Sequence, residues 1–141
     1  MPQNRIEFER QYSNLNKAQK QAVDAIDGPV VVIAGPGTGK TTILTLRIAN
    51  IIEKTDTEPE NILALTFTES GAYAIRKKLV ELIGSSAYKV NIHTFHGFAE
   101  KIISTYPDYF PRIIGSKLIT DLEQIKIIEK LVQEKDIDIL R

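Results

Sequence analysis

The sequence predicts an α/β fold: a parallel sheet flanked by helices, with a helical element at the C-terminal end. Three observations carry that prediction. Apolar, β-branched runs alternate with segments of helical periodicity, a glycine-rich loop joins the first such run to a helix, and turn-forming residues mark each change. Strands that alternate with helices imply parallel βαβ crossovers and a three-layer arrangement.

Residues 15–26 read as a helix, with Ala18, Ala22, Val23 and Ile26 spaced along one apolar face. Asp27-Gly28-Pro29 stops it and turns the chain into a strand over residues 30–34, where Val30-Val31-Val32-Ile33 form a β-branched run. Residues 41–53 follow as a second helix with Leu44, Ile48, Ile51 and Ile52 turned inward. The polar stretch 54–61 is a loop, and Pro59 bars helix across it. Ile62-Leu63-Ala64-Leu65-Thr66-Phe67 is a second buried strand, followed by a helix from about Ser70 to Ile83. Gly84-Ser85-Ser86 breaks the chain, residues 90–93 alternate as a third strand, and residues 95–103 are helical. Beyond them Tyr106-Pro107-Asp108-Tyr109-Phe110-Pro111 is a turn-rich linker, after which strands disappear. Thr120-Asp121-Leu122-Glu123 has capping-box spacing and starts a helix with Leu122, Ile125, Ile128 and Val132 on one side.

A chain of 141 residues suits one domain with a core of its own, and 43% apolar with 26% charged residues is ordinary for a globular protein. With no cysteine, neither a disulfide framework nor thiolate metal sites can be built. No apolar run approaches bilayer length and the N-terminus carries no signal-peptide pattern, so the expectation is a soluble cytoplasmic protein without a membrane partner. Lys plus Arg equals Asp plus Glu at 18 each, so net charge gives no argument for nucleic acid, and any such reading rests on local residues.

The chemistry-bearing stretch is Ala34-Gly35-Pro36-Gly37-Thr38-Gly39-Lys40-Thr41-Thr42 between strand and helix. Glycines let backbone N–H groups turn inward around phosphate, Lys40 offers a charge to the β/γ-phosphates, and the Thr41 hydroxyl can ligate Mg²⁺. Its first position is Ala34 rather than Gly, the looser form of the pattern. The bland alternative is a glycine-rich turn that binds nothing. Upstream, Gln19 has one donor and one acceptor, the complement of adenine N6 and N7; a solvated surface glutamine is the alternative.

Thr66-Phe67-Thr68-Glu69 and Thr94-Phe95-His96-Gly97 sit where the second and third strands end. Open α/β sheets bind ligands at that edge, hydroxyls and helix N-termini hold phosphates, and aromatic faces stack on bases. Two such turns could track a single nucleic-acid strand; the alternative is that Phe67 and Phe95 are core residues capping the sheet. His93 and His96 have no carboxylate–His pattern around them, which argues against a metal site.

Taken in order, Leu15-Asn16-x-x-Gln19-x-x-Ala22-Val23, the glycine-rich loop ending in Lys40-Thr41, Leu65-Thr66-Phe67-Thr68 and Thr94-Phe95-His96 resemble the Q motif and motifs I, Ia and Ib of superfamily 1A DNA helicases of the UvrD/Rep/PcrA type. The resemblance covers about residues 12–105. It implies a P-loop, RecA-like fold, ATP and Mg²⁺ as cofactors, and translocation on single-stranded DNA or partial duplex, in repair, replication or recombination. It places residues 1–105 in the N-terminal part of ATP-binding domain 1A, and residues 106–141 in the linker and first helices of helical subdomain 1B. By position Gln19 would read adenine, Lys40 and Thr41 would act in catalysis, residues 34–42 would hold the nucleotide, and Thr66, Phe67, Thr68, Thr94, Phe95 and His96 would line the DNA channel.

Departures are informative. Glu69-Ser70-Gly71-Ala72 stands where the family usually has Asn-Lys-Ala-Ala, which puts DNA contact at that turn in question. Thr42 replaces a residue that is often basic and Gly97 a common Ser. Hydrolysis also needs a Mg²⁺-holding Asp with a water-orienting partner and an arginine finger. The family carries these in motifs II to VI, which this sequence lacks; Asp121 is better read as part of the capping box. The expectation is an N-terminal piece that cannot hydrolyse ATP alone and whose partner is the remainder of the same polypeptide. In the family the strands of motifs II and III lie between those of motifs I and Ia. Without them the first two strands either pair directly in a rearranged three-stranded sheet or leave unpaired edges that invite self-association. Two other classes stay open: a different P-loop enzyme, such as a small-molecule kinase or GTPase, and a non-catalytic nucleotide- or DNA-binding module.

Overall fold

The structure, a computed structural model, describes residues 2–110, 116 and 119–134. The chain divides into two compact units, Met1–Lys101 and Ile102–Arg141.

In the first unit the helices are α1 (Pro2–Ser13), α2 (Lys17–Asp24), α3 (Lys40–Lys54) and α4 (Glu69–Ile83), and the strands β1 (Leu63–Thr66) and β2 (Asn91–Thr94). Helix α5 (Phe95–Thr105) carries the chain across the division. Strands β1 and β2 pair in parallel with Leu63 opposite Asn91 and Thr66 opposite Thr94. A parallel pair needs a crossover, and α4 supplies it. Ala64 and Ile92 point into a core shared with Ile75 and Leu79 of α4 and Ile48 of α3. Gly84, at φ 62°, ends α4, and the Arg76 guanidinium donates to the carbonyls of Ala87 (2.7 Å) and Val90 (3.0 Å), fixing the turn that enters β2.

Helix α3 lies between α2 and α4 and is buried on a wider arc than its apolar stripe predicts. Ile43, Leu46, Ile48 and Ala49 are buried together with Thr45 and Asn50, whereas Leu44, Ile51 and Ile52 are only partly covered. The two buried polar side chains are both satisfied: Thr45 Oγ1 donates within α3 to the carbonyls of Thr41 (3.0 Å) and Thr42 (3.1 Å), and Asn50 Nδ2 donates across to Val23 O of α2 (3.1 Å). Arg47 Nη1 adds a bond to Ala22 O at 2.8 Å, so α3 side chains complete the carbonyls that the last turn of α2 leaves open.

Helix α1 lay outside the sequence expectation. Its composition gives almost no apolar stripe, and it is held instead by tertiary contact: Phe8 is buried against Val23, Leu46 and Leu82, and Tyr12 donates to Asp24 Oδ2 at 2.6 Å. That bond to a carboxylate holds the Tyr12 phenol above its ordinary pKa.

The strand expected at residues 30–34 is not formed. The segment is irregular, with Val31 85% and Ile33 97% exposed. The physical reason is pairing: a strand exists only against a neighbour, and among the described residues β1 and β2 pair with each other alone. Direct pairing of the first two predicted strands in a three-stranded sheet is thereby corrected, and the unpaired arrangement is what stands.

In the second unit a tight turn at Pro107–Tyr109 follows α5, and the helix α6 (Asp121–Glu134) begins where the spacing placed it. Its capping box is complete: Thr120 N donates to Glu123 Oε2 (2.7 Å) and Glu123 N to Thr120 Oγ1 (3.3 Å). The expected linker residue Pro111 and the stretch 135–141 lie outside the described residues. No helix among the described residues is long and apolar enough to cross a membrane.

Candidate functional site

The glycine-rich loop begins at the irregular segment and ends at the head of α3. Gly37 and Gly39 sit at φ 75° and 84°, backbone that residues with a Cβ rarely adopt. Gly39 is the N-cap of α3 and supplies no side-chain bond, so the first N–H groups of that helix have no side-chain cap. Thr38 Oγ1 donates to Gly35 O at 2.7 Å, closing the loop on itself. Lys40 Nζ is folded inward onto the carbonyls of Ala34 (3.1 Å) and Gly35 (2.5 Å). The Thr41 hydroxyl makes no hydrogen bond with a described residue.

Gln19 faces this loop from α2. Its amide Nε2 donates to Thr38 O at 3.2 Å, while its Oε1 accepts from Asn16 N at 2.9 Å and its own N–H donates to Asn16 Oδ1 at 2.9 Å. Gln19 is therefore a partly covered side chain with partners on both sides. It closes a capping box and tethers the loop, which leaves the amide one N–H and one lone pair. The Asn16-x-x-Gln19 spacing carries that signal in the sequence. A cavity of about 340 Å³ lies beside the amide, lined by Gln19, Ala22, Val32, Ala34, Gly35 and Thr38 among others.

Thr42 points elsewhere: its hydroxyl accepts from Lys78 Nζ of α4 at 2.8 Å. No sequence signal marks Lys78, because the contact joins two helices across the core. Among the described residues no group of three or more His, Cys, Asp or Glu side chains converges as a metal site. The Thr41 hydroxyl, at the head of α3, could offer one oxygen to a cation.

The second group of residues gathers at the carboxyl ends of β1 and β2. Phe67 (82% exposed) and Phe95 (51% exposed) meet edge to face with centroids 5.7 Å apart, so they are surface aromatics and not core caps. The two turns are built alike: Thr68 Oγ1 accepts from Gly71 N and Thr94 Oγ1 from Gly97 N, each at 3.0 Å, so each threonine caps a helix whose third residue is glycine. A Cβ on Gly71 would stand 2.7 Å from Thr66 Oγ1, which explains a glycine there. Thr94 is buried, Thr66 partly covered and His96 exposed. His93 lies tilted against Phe98 at 6.0 Å, and partial burial, helped by the charges of Lys101 and Arg76, pushes its pKa down.

The fold and the loop together define a mixed α/β domain with a parallel strand pair, helices around it and a glycine-rich turn opening a helix. The UvrD/REP helicase N-terminal domain model matches residues 15–140, and the chain belongs to that family. It is 39% identical over 126 residues to a probable DNA helicase II homolog of Rickettsia conorii, covering 88% of this chain and 19% of that protein. It is 40% identical over 127 residues to the DNA helicase II of Rickettsia typhi, with 88% and 19% covered. To the ATP-dependent DNA helicase PcrA of Staphylococcus epidermidis it is 33% identical over 125 residues, with 89% and 17% covered. The chain spans less than a fifth of the length of these relatives.

Proposed function

We propose that this chain is the nucleotide-binding front of an ATP-driven DNA helicase: residues 1–105 the N-terminal part of RecA-like domain 1A, residues 106–141 the start of helical subdomain 1B. The observation that carries the reading is the loop itself, with positive-φ Gly37 and Gly39, an uncapped α3, an inward lysine and Gln19 held against it. Each part fits a nucleoside triphosphate with Mg²⁺. The α3 N–H groups are oriented for phosphate oxygens. Lys40 exchanges two carbonyls for the β/γ-phosphates, an attraction of roughly 4 kcal/mol per charge pair at about 4 Å and intermediate dielectric. Thr41 offers a hydroxyl oxygen to the metal, and the free N–H and lone pair of Gln19 meet the adenine edge. Residues 34–36 and 38 wall the cradle, and Thr42 stands at its far end.

Bound ATP would supply the phosphoanhydride whose hydrolysis drives movement. Phe67 and Phe95, flanked by Thr66, Thr68, Thr94 and His96, take single-stranded DNA by stacking and by hydroxyl contacts to the backbone. Turnover needs a metal-holding carboxylate and an arginine finger, so these residues alone bind nucleotide without hydrolysing it. The exposed apolar run at residues 30–33 favours association between isolated copies of this piece.

Titration with a fluorescent triphosphate in Mg²⁺ tests the reading. ATP is expected to bind in preference to GTP, with binding weakened by roughly 2–3 kcal/mol in Lys40→Ala. Equal binding of ATP and GTP removes the adenine assignment, and absence of triphosphate binding removes the cradle.

A further inference from the structure

Lys78 stands midway along α4, and its ammonium, partly buried, donates to Thr42 Oγ1 at 2.8 Å. Thr42 is the third residue of α3, so the bond reaches the first turn of the helix that carries the glycine-rich loop. A cation is disfavoured at that place, since the N-terminus is the positive end of the helix dipole. Lys40 heads the same turn. Among the described residues no carboxylate lies within ion-pair distance of Lys78. Packing of Ile48 and Leu44 against Ile75 and Leu79 already holds α3 to α4, so cohesion gives no reason for a partly buried lysine here.

The other end of α4 is the nucleic-acid edge. Its N-cap Thr68 follows Phe67 directly, and the absence of a Cβ on Gly71 lets the hydroxyls of Thr66 and Thr68 close on the first turn. One helix thus has the aromatic turn at its head and a polar link to the phosphate-loop helix at its middle.

We infer that Lys78 is a positioning residue that couples occupancy of the Phe67–Phe95 turn to occupancy of the cradle. This rests on the nucleotide-and-strand reading above. A strand stacked on the turn shifts the head of α4, and the Lys78–Thr42 bond transmits that shift to the first turn of α3. By linkage, nucleotide changes strand affinity by the same factor that strand changes nucleotide affinity.

The test uses the complete gene product. The dissociation constant of a slowly hydrolysed fluorescent ATP analogue is measured with and without saturating oligothymidylate at fixed salt. The wild-type ratio is expected to be at least about fivefold. In Lys78→Met and in Thr42→Val it falls below about twofold, the double variant matches either single, and Lys78→Arg keeps the wild-type ratio. Each ratio compares a variant with itself, so a change in basal affinity cancels; if Lys78→Met fails to fold, Thr42→Val decides alone. A wild-type ratio near one, or a ratio preserved in Thr42→Val, overturns the inference while leaving nucleotide binding intact. No analogue binding by the wild type sinks the parent reading as well.

Discussion

The Gln19 amide nitrogen lies 3.2 Å from the carbonyl oxygen of Thr38, so one side chain joins helix α2 to the glycine-rich loop. The same side chain closes the capping box with Asn16, which makes the helix end and the loop one mechanical unit.

Gln19→Ala is therefore expected to do two things: abolish the preference for ATP over GTP, and cost about 1 kcal/mol of stability through the lost cap. Asn16→Ala removes the cap but keeps the amide, so it should lose stability alone. Calorimetric titration with both nucleotides, beside denaturant melts, separates the effects. Retained discrimination in Gln19→Ala would exclude an adenine-reading role.

Lys40 is held by two loop carbonyls and has to leave them to reach phosphate. Lys40→Ala should weaken triphosphate binding by roughly 2–3 kcal/mol, the scale of charge-assisted hydrogen bonds, and affect a nucleoside far less. Competition binding with ATP and adenosine checks this; equal losses for both would place the lysine outside the phosphate subsite.

Phe67 and Phe95 are exposed, and their mutual contact is worth only about 0.5–1.5 kcal/mol. Changing either to Ala should leave the melting curve nearly in place while lowering oligothymidylate affinity by roughly 1–3 kcal/mol per lost stacking partner. Fluorescence anisotropy reads the binding. Unchanged affinity in the double variant would remove this edge from the nucleic-acid path.

Gly71→Ala sets two effects against each other. Helix propensity favours Ala by up to about 1 kcal/mol, but the new Cβ would meet Thr66 Oγ1 at 2.7 Å and the capping Thr68 Oγ1 at 3.0 Å. Thr66 is β-branched and stiff at χ1, so overpacking of roughly 1–3 kcal/mol prevails and a net loss near ~1 kcal/mol is expected. Thr66→Ala should recover part of that loss. Chemical denaturation of the two singles and the double decides it; additive losses would contradict the steric account.

His93 has a folded pKa below 6.5, chiefly from burial and then from nearby Lys101 and Arg76. The unfolded chain therefore binds the proton more tightly than the folded one. Stability is fully present above about pH 6.5 and declines as pH falls from there toward the lowered folded value. Thermal melts between pH 7.5 and about 5 should show a decline that His93→Gln flattens. Glu7 and Glu60 are held below the ordinary carboxylate range and titrate in a lower window. An identical decline in His93→Gln would assign it to other groups.

Legibility in the sequence followed locality. Strands β1 and β2 were readable because their partner is reached through the helix between them, so apolar run, turn and helix all lie within one short stretch. The α6 start was readable because Thr120 and Glu123 satisfy each other. Helix α1 was not, since Phe8 and Tyr12 hold it through residues on other elements. Whether Phe67 and Phe95 were core or surface could not be read either, because exposure depends on what else packs at the sheet edge.

From its order of residues alone this chain determined the loop that opens α3, the cap at Thr120, and the crossover joining its two strands, all set by near neighbours in sequence. Tertiary structure decided the rest: that residues 30–34 stay unpaired, that Gln19 spans to Thr38, and that Lys78 reaches Thr42. Those outcomes turn on which distant groups meet. A β-branched run is a strand only beside another strand, and a lysine is a link only where the fold brings it an acceptor.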